Sequence, residues 1–280
     1  MKVLWNQDIV EREQVKVDIE DRGYQYGDGI YEVIRVYDGH CYMLAEHMER
    51  LIASAKKIKL TLPYDAERIA ENLKKMIAVE EINNGEIYMQ ITRGVYSPRN
   101  HQFPTAGTVQ AVLTANAIPF ERPLDMQQNG LSATVIPDQR WLHCDIKSLS
   151  LLGNLLSLDE AIEKGFDDAL LHRDGFFTEA SASNLWFVID GKLYTHPDGP
   201  LVLPGITKIK VRQLCAELAI SLVEEAVPIS RLGEVQECFL TNSVWEIVPV
   251  VSIDGNLVGQ GEKGPITARL QQAYIDAISK

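Results

Sequence analysis

Cysteine is sparse in this chain, and what there is lies scattered. Cys41, Cys144, Cys215 and Cys238 form no C-x-x-C pair. That spacing offers neither a zinc knuckle nor a disulfide framework, and fits reduced thiols in a cytoplasmic protein. The triplet His143-Cys144-Asp145 contains ligand types, but three adjacent residues cannot all face one ion, so no metal is expected. Positive charge is also in deficit: 27 Lys and Arg against 39 Asp and Glu give a net charge of −12. This excludes a nucleic-acid groove or an anionic membrane surface as the main partner. No apolar run approaches the length of a membrane span, and Met1-Lys-Val-Leu-Trp-Asn6 does not read as a signal peptide. Internal repeats and low-complexity tracts are missing as well.

What is present is ample core material: 280 residues, 46% of them hydrophobic, can bury one large core or two smaller ones. Asp38-Gly39 separates the alternating run Tyr31 to Tyr37 from Cys41 to Leu44, a hairpin signal. Leu44, Met48, Leu51, Ala55 and Ile58 recur at helical spacing and predict a helix from Leu44 to Lys59. A second amphipathic helix follows, with Ile69, Leu73 and Met76 or Ile77 inward, and Asn83-Asn84-Gly85 stops it. Strands are expected at 86–92 and 108–115, and the Pro-bearing stretch Ile118-Pro-Phe-Glu-Arg-Pro-Leu124 is the best linker. Beyond it, strands fit 131–137, 168–172, 184–189, 192–196 and 238–242, with helices at 155–164, 207–219 and 266–278. The expectation is an α+β chain of two domains, 1–117 and 125–280, joined by residues 118–124.

Five segments could carry chemistry. Lys147 lies among Ile146, Leu149, Leu151 and Leu152; a desolvated lysine has a lowered pKa and can form Schiff bases, though a lone lysine in such company usually snorkels. In Phe177-Thr-Glu-Ala-Ser-Ala-Ser-Asn184, four small residues after Glu179 would let a flat ring lie near the backbone, or simply make a polar turn. Leu203-Pro-Gly-Ile-Thr207 leads into a helix, where unpaired N–H groups bind phosphate or merely end a loop. Arg99 and His101 stand two apart in a loop and can converge on a carboxylate, unless solvent holds them. Asp21-Arg-Gly-Tyr-Gln-Tyr-Gly-Asp-Gly29 lacks the G-x-G-x-x-G spacing of a dinucleotide fold, so its glycines read as turns. Arg50, near Lys56, Lys57 and Lys59, reads as a solvated helix residue.

Taken in order, these segments resemble the D-amino acid transaminase group of the fold-type IV pyridoxal phosphate enzymes, which also include branched-chain aminotransferases. The resemblance rests on Tyr26-Gly-Asp-Gly-Ile-Tyr-Glu32, Ser97-Pro-Arg-Asn-His-Gln-Phe-Pro104, Trp141-Leu-His-Cys-Asp-Ile-Lys-Ser-Leu149, Thr178-Glu-Ala-Ser-Ala-Ser-Asn184 and Gly205-Ile-Thr207. It spans essentially the whole chain.

The resemblance implies a small N-terminal α/β domain and a larger, β-barrel-like C-terminal domain. It also implies pyridoxal 5′-phosphate as cofactor and a homodimer. Lys147 would bind the cofactor covalently and shuttle the proton between substrate Cα and the cofactor's C4′. Glu179 would pair with the ring nitrogen, and Leu203 would pack on the ring. Arg50, Ile206, Thr207 and Ser243 would hold the phosphate, with Ser181 and Asn242 nearby. Tyr31, Arg99 and His101 would take the substrate carboxylate, the last two reaching in from the partner subunit. Relatives commonly carry Glu-Gly-Ser-Ser-Ser-Asn, so this chain lacks a hydroxyl at Ala182, and Asn242 replaces a common serine. The implied reaction is a ping-pong transamination between a D-amino acid, such as D-alanine or D-glutamate, and 2-oxoglutarate or pyruvate. Alternatives within the fold type are a branched-chain L-amino acid aminotransferase, an R-amine transaminase or an aminodeoxychorismate lyase. A non-catalytic cofactor binder is the alternative outside enzymes.

Overall fold

The computed structural model describes residues 1–278. The chain divides into two compact units: Met1–Glu121 with Ile146–Leu151, and Arg122–Asp145 with everything from Leu152 onward.

The first unit contains β1 (Lys2–Trp5), β2 (Asp8–Glu11), α1 (Arg22–Tyr26), β3 (Gly29–Tyr37), β4 (His40–Cys41), α2 (Leu44–Lys57), α3 (Ala66–Val79), β5 (Gly85–Thr92) and β6 (Val112–Pro119). Its strands form one antiparallel sheet in the order β2-β1-β6-β5-β3-β4. Strict alternation puts Ile87, Met89 and Ile91 of β5 on the buried face, across from Ile34 and Ile30 of β3. Against that face α2 and α3 lay the helical stripes Met48-Leu51-Ala55 and Ile69-Leu73-Met76. Asp38 and Gly39, both at positive φ (47° and 76°), close the β3–β4 hairpin as its twist requires.

β4 is only two residues long and pairs β3 at Val36 and Tyr37. The first half of β3's outer edge is therefore filled by residues 147–149. The Tyr31 N–H donates to the Lys147 carbonyl and the Leu149 N–H donates to that of Gly29, each at 3.0 Å. This excursion of residues 146–151 into the first unit lies outside the sequence-based boundaries, because periodicity cannot tell which sheet edge a short extended segment joins.

The strand expected at 108–115 begins instead at Val112 and runs to Pro119. Both the N–H and the hydroxyl of Thr108 bond the Thr105 carbonyl, at 3.1 and 2.7 Å, so these residues close a turn. β6 also absorbs Ile118 and Pro119 from the expected linker, since Glu86 and Gly85 lie across from them.

The second unit contains α4 (Leu124–Asn129), β7 (Leu131–Pro137), α5 (Leu152–Glu163), β8 (Asp168–Arg173), β9 (Phe176–Ala180), β10 (Asn184–Ile189), β11 (Lys192–Thr195), α6 (Ile206–Glu217), β12 (Leu222–Glu224), β13 (Glu237–Asn242), β14 (Glu246–Ile253), β15 (Asn256–Leu257) and α7 (Pro265–Ile278). Its sheet runs β12-β11-β10-β13-β14-β7-β8-β9, with β15 on β14. β7 is parallel to both its neighbours, and β11 is parallel to β12. Leu170, Leu185, Phe187, Leu240 and Val248 meet in one core. No helix among the described residues is long and apolar enough to cross a membrane.

Candidate active site

Lys147 is positioned by its backbone. Besides the carbonyl bond to β3, its N–H donates to the Ser54 hydroxyl on α2 at 3.2 Å. Its half-buried side chain places Nζ 4.0 Å from the centroid of the Tyr31 ring. The face of a tyrosine ring attracts a lysine head group and steadies it there. Of the apolar residues around it in sequence, Ile146 enters the core while Leu152 is 68% exposed. Lys147 therefore lies on an aromatic face, and its sequence neighbours do not form an apolar cage around it.

Arg50 is buried, contrary to the solvated position expected of it. It forks onto Glu32, Nε to Oε1 at 2.8 Å and Nη2 to Oε2 at 2.6 Å. His47 Nδ1 meets the same Oε2 at 2.7 Å. Burial lowers the His47 pKa, and Glu32 pulls against that. Burial alone would raise the Glu32 carboxyl, but Arg50 and His47 outweigh it and hold the pKa at about 2, against an ordinary 4.5. The readable clue was on α2, where His47, Arg50 and Ser54 occupy buried positions beside Met48, Leu51 and Ala55. A polar stripe on an apolar helix face requires partners.

The sign of the linkage is definite. A carboxyl depressed on folding contributes stability above its unfolded pKa and loses it as pH falls through the folded value. Glu32 therefore contributes fully above about pH 4.5 and ceases to contribute by about pH 2. Glu32→Gln is expected to flatten this part of the acid limb, which amounts to about 3 kcal/mol. Urea unfolding of both proteins from pH 6 down to 2.5 measures it; parallel curves would refute the assignment.

Arg99 and His101 lie in the exposed loop after β5. The Arg99 guanidinium sits 4.5 Å from the Tyr26 ring centroid and the His101 ring 5.6 Å from it. Within one chain Tyr31 lies beneath Lys147, while Arg99 and His101 gather on Tyr26; the pair is expected to reach a Tyr31 only across a subunit boundary.

In the second unit, Glu179 sits on β9, in a segment that could have been a turn. It is 4% exposed. Arg140 Nη1 donates to Oε1 at 2.5 Å, while Asn184 Nδ2 and the Leu203 N–H each donate to Oε2 at 3.0 Å. Burial pushes the Glu179 carboxyl up, and Arg140 pulls against it. Arg140 also forks onto Asp138, Nε to Oδ1 at 2.9 Å and Nη2 to Oδ2 at 2.8 Å. Thr178 donates to the same carboxylate at 2.9 Å. Arg140, Asp138 and Asn184 are absent from the sequence-based site, and so are Glu32 and His47 of the first unit.

Asn184 Nδ2 also donates to the Leu203 carbonyl at 2.8 Å, linking Glu179 to the loop before α6. Gly205 starts that helix at an ordinary φ of −68°, but a Cβ there would lie 2.0 Å from Asn184 Oδ1. The absence of a side chain is what lets the helix start approach the Glu179 network. Ile206 and Thr207 follow, buried at 3% and 2% exposure. The Ser181 carbonyl accepts from Asn154 at 2.7 Å, and Ser183 Oγ accepts from Asn242 Nδ2 at 2.8 Å. Asn242 Oδ1 accepts from the Val244 and Trp245 N–H groups, so its amide organises the turn that holds Ser243. Glu179, Leu203 and the α6 start thus form one network, with Ser183 and Asn242 as a second pair.

The first unit thus offers an amine on a tyrosine face, and the second a buried, arginine-held carboxylate. The class IV amino-transferase family matches residues 29–253, and the chain belongs to it. Pyridoxal 5′-phosphate is the cofactor of this class. The chain is 44% identical over 280 residues to a D-alanine aminotransferase of Listeria monocytogenes, covering 100% of this chain and 97% of that one. It is 43% identical over 278 residues to a D-alanine aminotransferase of Bacillus licheniformis, covering 99% and 97%. Among solved structures, the branched-chain amino acid aminotransferase of Escherichia coli superposes with a TM-score of 0.92 at 28% identity, over 99% of this chain and 94% of that one.

Proposed function

We propose that this protein is a pyridoxal 5′-phosphate-dependent D-amino acid aminotransferase. It would exchange amino groups between a D-amino acid, such as D-alanine or D-glutamate, and 2-oxoglutarate or pyruvate. The observation that carries this reading is 44% identity to a D-alanine aminotransferase across the full chain.

The residues present fit the cofactor. Lys147 offers a primary amine, half-buried and steadied by Tyr31. Glu179 is a buried carboxylate whose burial a protonated ring nitrogen would help offset. The start of α6, where the Ile206 and Thr207 N–H groups have no intrahelical acceptor, suits a phosphate. When bound, the cofactor supplies an electron sink that acidifies the substrate's Cα–H.

The chain's own residues do the rest. Lys147 Nζ would hold the cofactor and, when substrate displaces it, would carry the Cα proton to C4′. Glu179, fixed by Arg140 and Asn184, would pair with the ring nitrogen. Arg50, Ile206, Thr207, Ser243, Asn242 and Ser181 are the residues that would hold the phosphate, and Leu203 would meet the ring. Tyr31 would take the substrate carboxylate, with Arg99 and His101 reaching in from the partner subunit. Arg99 offers a fork of donors, suited to bidentate binding.

A homodimer is supported by α5, which exposes Leu152, Leu155, Leu156 and Ile162 at 68, 59, 60 and 58%. Four unpaired cysteines, three of them buried, favour a cytoplasmic setting. The structural likeness to branched-chain enzymes keeps L-leucine transamination as the second reading. D-Alanine and L-leucine assayed separately with 2-oxoglutarate discriminate the two. Turnover of D-alanine is expected, and leucine turnover without it would overturn the proposal.

A further inference from the structure

Within the first unit, the segment Asp21–Asp28 does more than turn the chain. Asp21 caps α1 through a 2.7 Å bond from the Gly23 N–H, and Gly27 stops the helix at φ 66°. This one-turn helix presents two side chains to the loop that carries Arg99 and His101.

The first is Arg22, which is 3% exposed. Its Nε donates to Asp28 Oδ2 at 2.8 Å, and its Nη1 donates to the Asn100 carbonyl at 2.6 Å. The same Asp28 oxygen accepts from Arg93 Nε at 2.8 Å. Arg93 in turn binds the Ile58 and Lys59 carbonyls at 2.7 and 2.8 Å, at the end of α2, and lies 4.2 Å from the centroid of the Phe103 ring. The loop is thereby anchored at Asn100 by a bond and at Phe103 by a ring contact.

The second is Tyr26. Its ring lies 4.8 Å from the Arg22 guanidinium, 4.5 Å from that of Arg99 and 5.6 Å from the His101 ring. Its hydroxyl is buried and takes no hydrogen bond among the described residues. The ring, rather than the hydroxyl, makes the contacts. Arg99 and His101 are otherwise exposed, and free arginine rotamers would spread the guanidinium over many positions.

We propose that Tyr26 is a positioning residue for substrate recognition: its ring, backed by Arg22, is the platform that sets Arg99 and His101 for the substrate carboxylate. The proposal rests on reading Arg99 and His101 as that carboxylate pair. Donor and acceptor share the carboxylate, so loss of the platform acts on both half-reactions. It weakens binding and leaves the proton transfer at Lys147 untouched.

The test is steady-state kinetics of the holoenzyme with D-alanine and 2-oxoglutarate, comparing Tyr26→Leu, Tyr26→Phe and Arg99→Ala with the parent. Tyr26→Leu is expected to raise KM for both substrates about ten-fold, the size of losing two ring contacts with cationic groups, with kcat nearly unchanged. Tyr26→Phe is expected to keep the parental KM. A leucine variant that merely folds poorly lowers apparent kcat and leaves KM alone, the opposite signature. Unchanged KM in Tyr26→Leu overturns the proposal, as does a raised KM in Tyr26→Phe, which would make the hydroxyl the active group. Unchanged KM in Arg99→Ala would instead overturn the carboxylate reading on which the proposal rests.

Discussion

Lys147→Ala is expected to abolish transamination and to leave no yellow chromophore that borohydride can reduce. The substitution removes only atoms beyond Cβ. The carbonyl bond to Tyr31 and the N–H bond to Ser54 involve the backbone of residue 147, so the segment keeps its place on β3. What disappears is the amine at 4.0 Å from the Tyr31 ring. Loss of a positioned proton carrier alone costs about 10²–10⁴-fold, and loss of the covalent anchor adds to that. Absorbance after cofactor reconstitution and D-alanine turnover read the two roles separately. A variant that keeps the reducible chromophore would sink the assignment of Lys147.

Arg140→Met is expected to have the largest effect on stability, about 3–5 kcal/mol at neutral pH, because it leaves buried carboxylates without their cation. Arg140 touches both Asp138 and Glu179; Asp138 keeps Arg173 at 3.3 Å, so Glu179 bears most of the loss. The pH dependence has a definite sign. Glu179 is already pushed up by burial, and without Arg140 it moves further up. A group whose pKa rises on folding favours the folded state when protonated, so the deficit of Arg140→Met shrinks as pH falls through that raised pKa. Adding Glu179→Gln should restore part of the stability at neutral pH without restoring activity. Urea unfolding of the two single variants and the double variant measures this coupling. Additive losses would mean that Arg140 and Glu179 act independently.

The elements that were legible in the sequence are those whose signal is local. Met48, Leu51 and Ala55 announced α2, and Asp38-Gly39 announced the hairpin, because a helix stripe and a tight turn are written within a few residues. α1 was read only as turns, since five residues carry no period. Lys147, Glu179 and the α6 start were singled out by motif resemblance; spacing alone left each of them ambiguous. Their supports were out of reach for a different reason. Glu32 lies 18 residues from Arg50, and Arg140 lies 39 from Glu179. Which distant residue meets a buried charge is a tertiary fact, which periodicity does not encode.

The loan of residues 146–151 to the first unit has a consequence for how the chain is made. Residues 1–121 leave the ribosome with half of β3's outer edge bare, and about 25 further residues must follow before Lys147 and Leu149 can cover it. The first unit is therefore not a fragment that can be excised by cutting the gene at one place. Its missing edge is the very strip that bears Lys147, so the amine proposed to hold the cofactor arrives with the piece that seals the sheet.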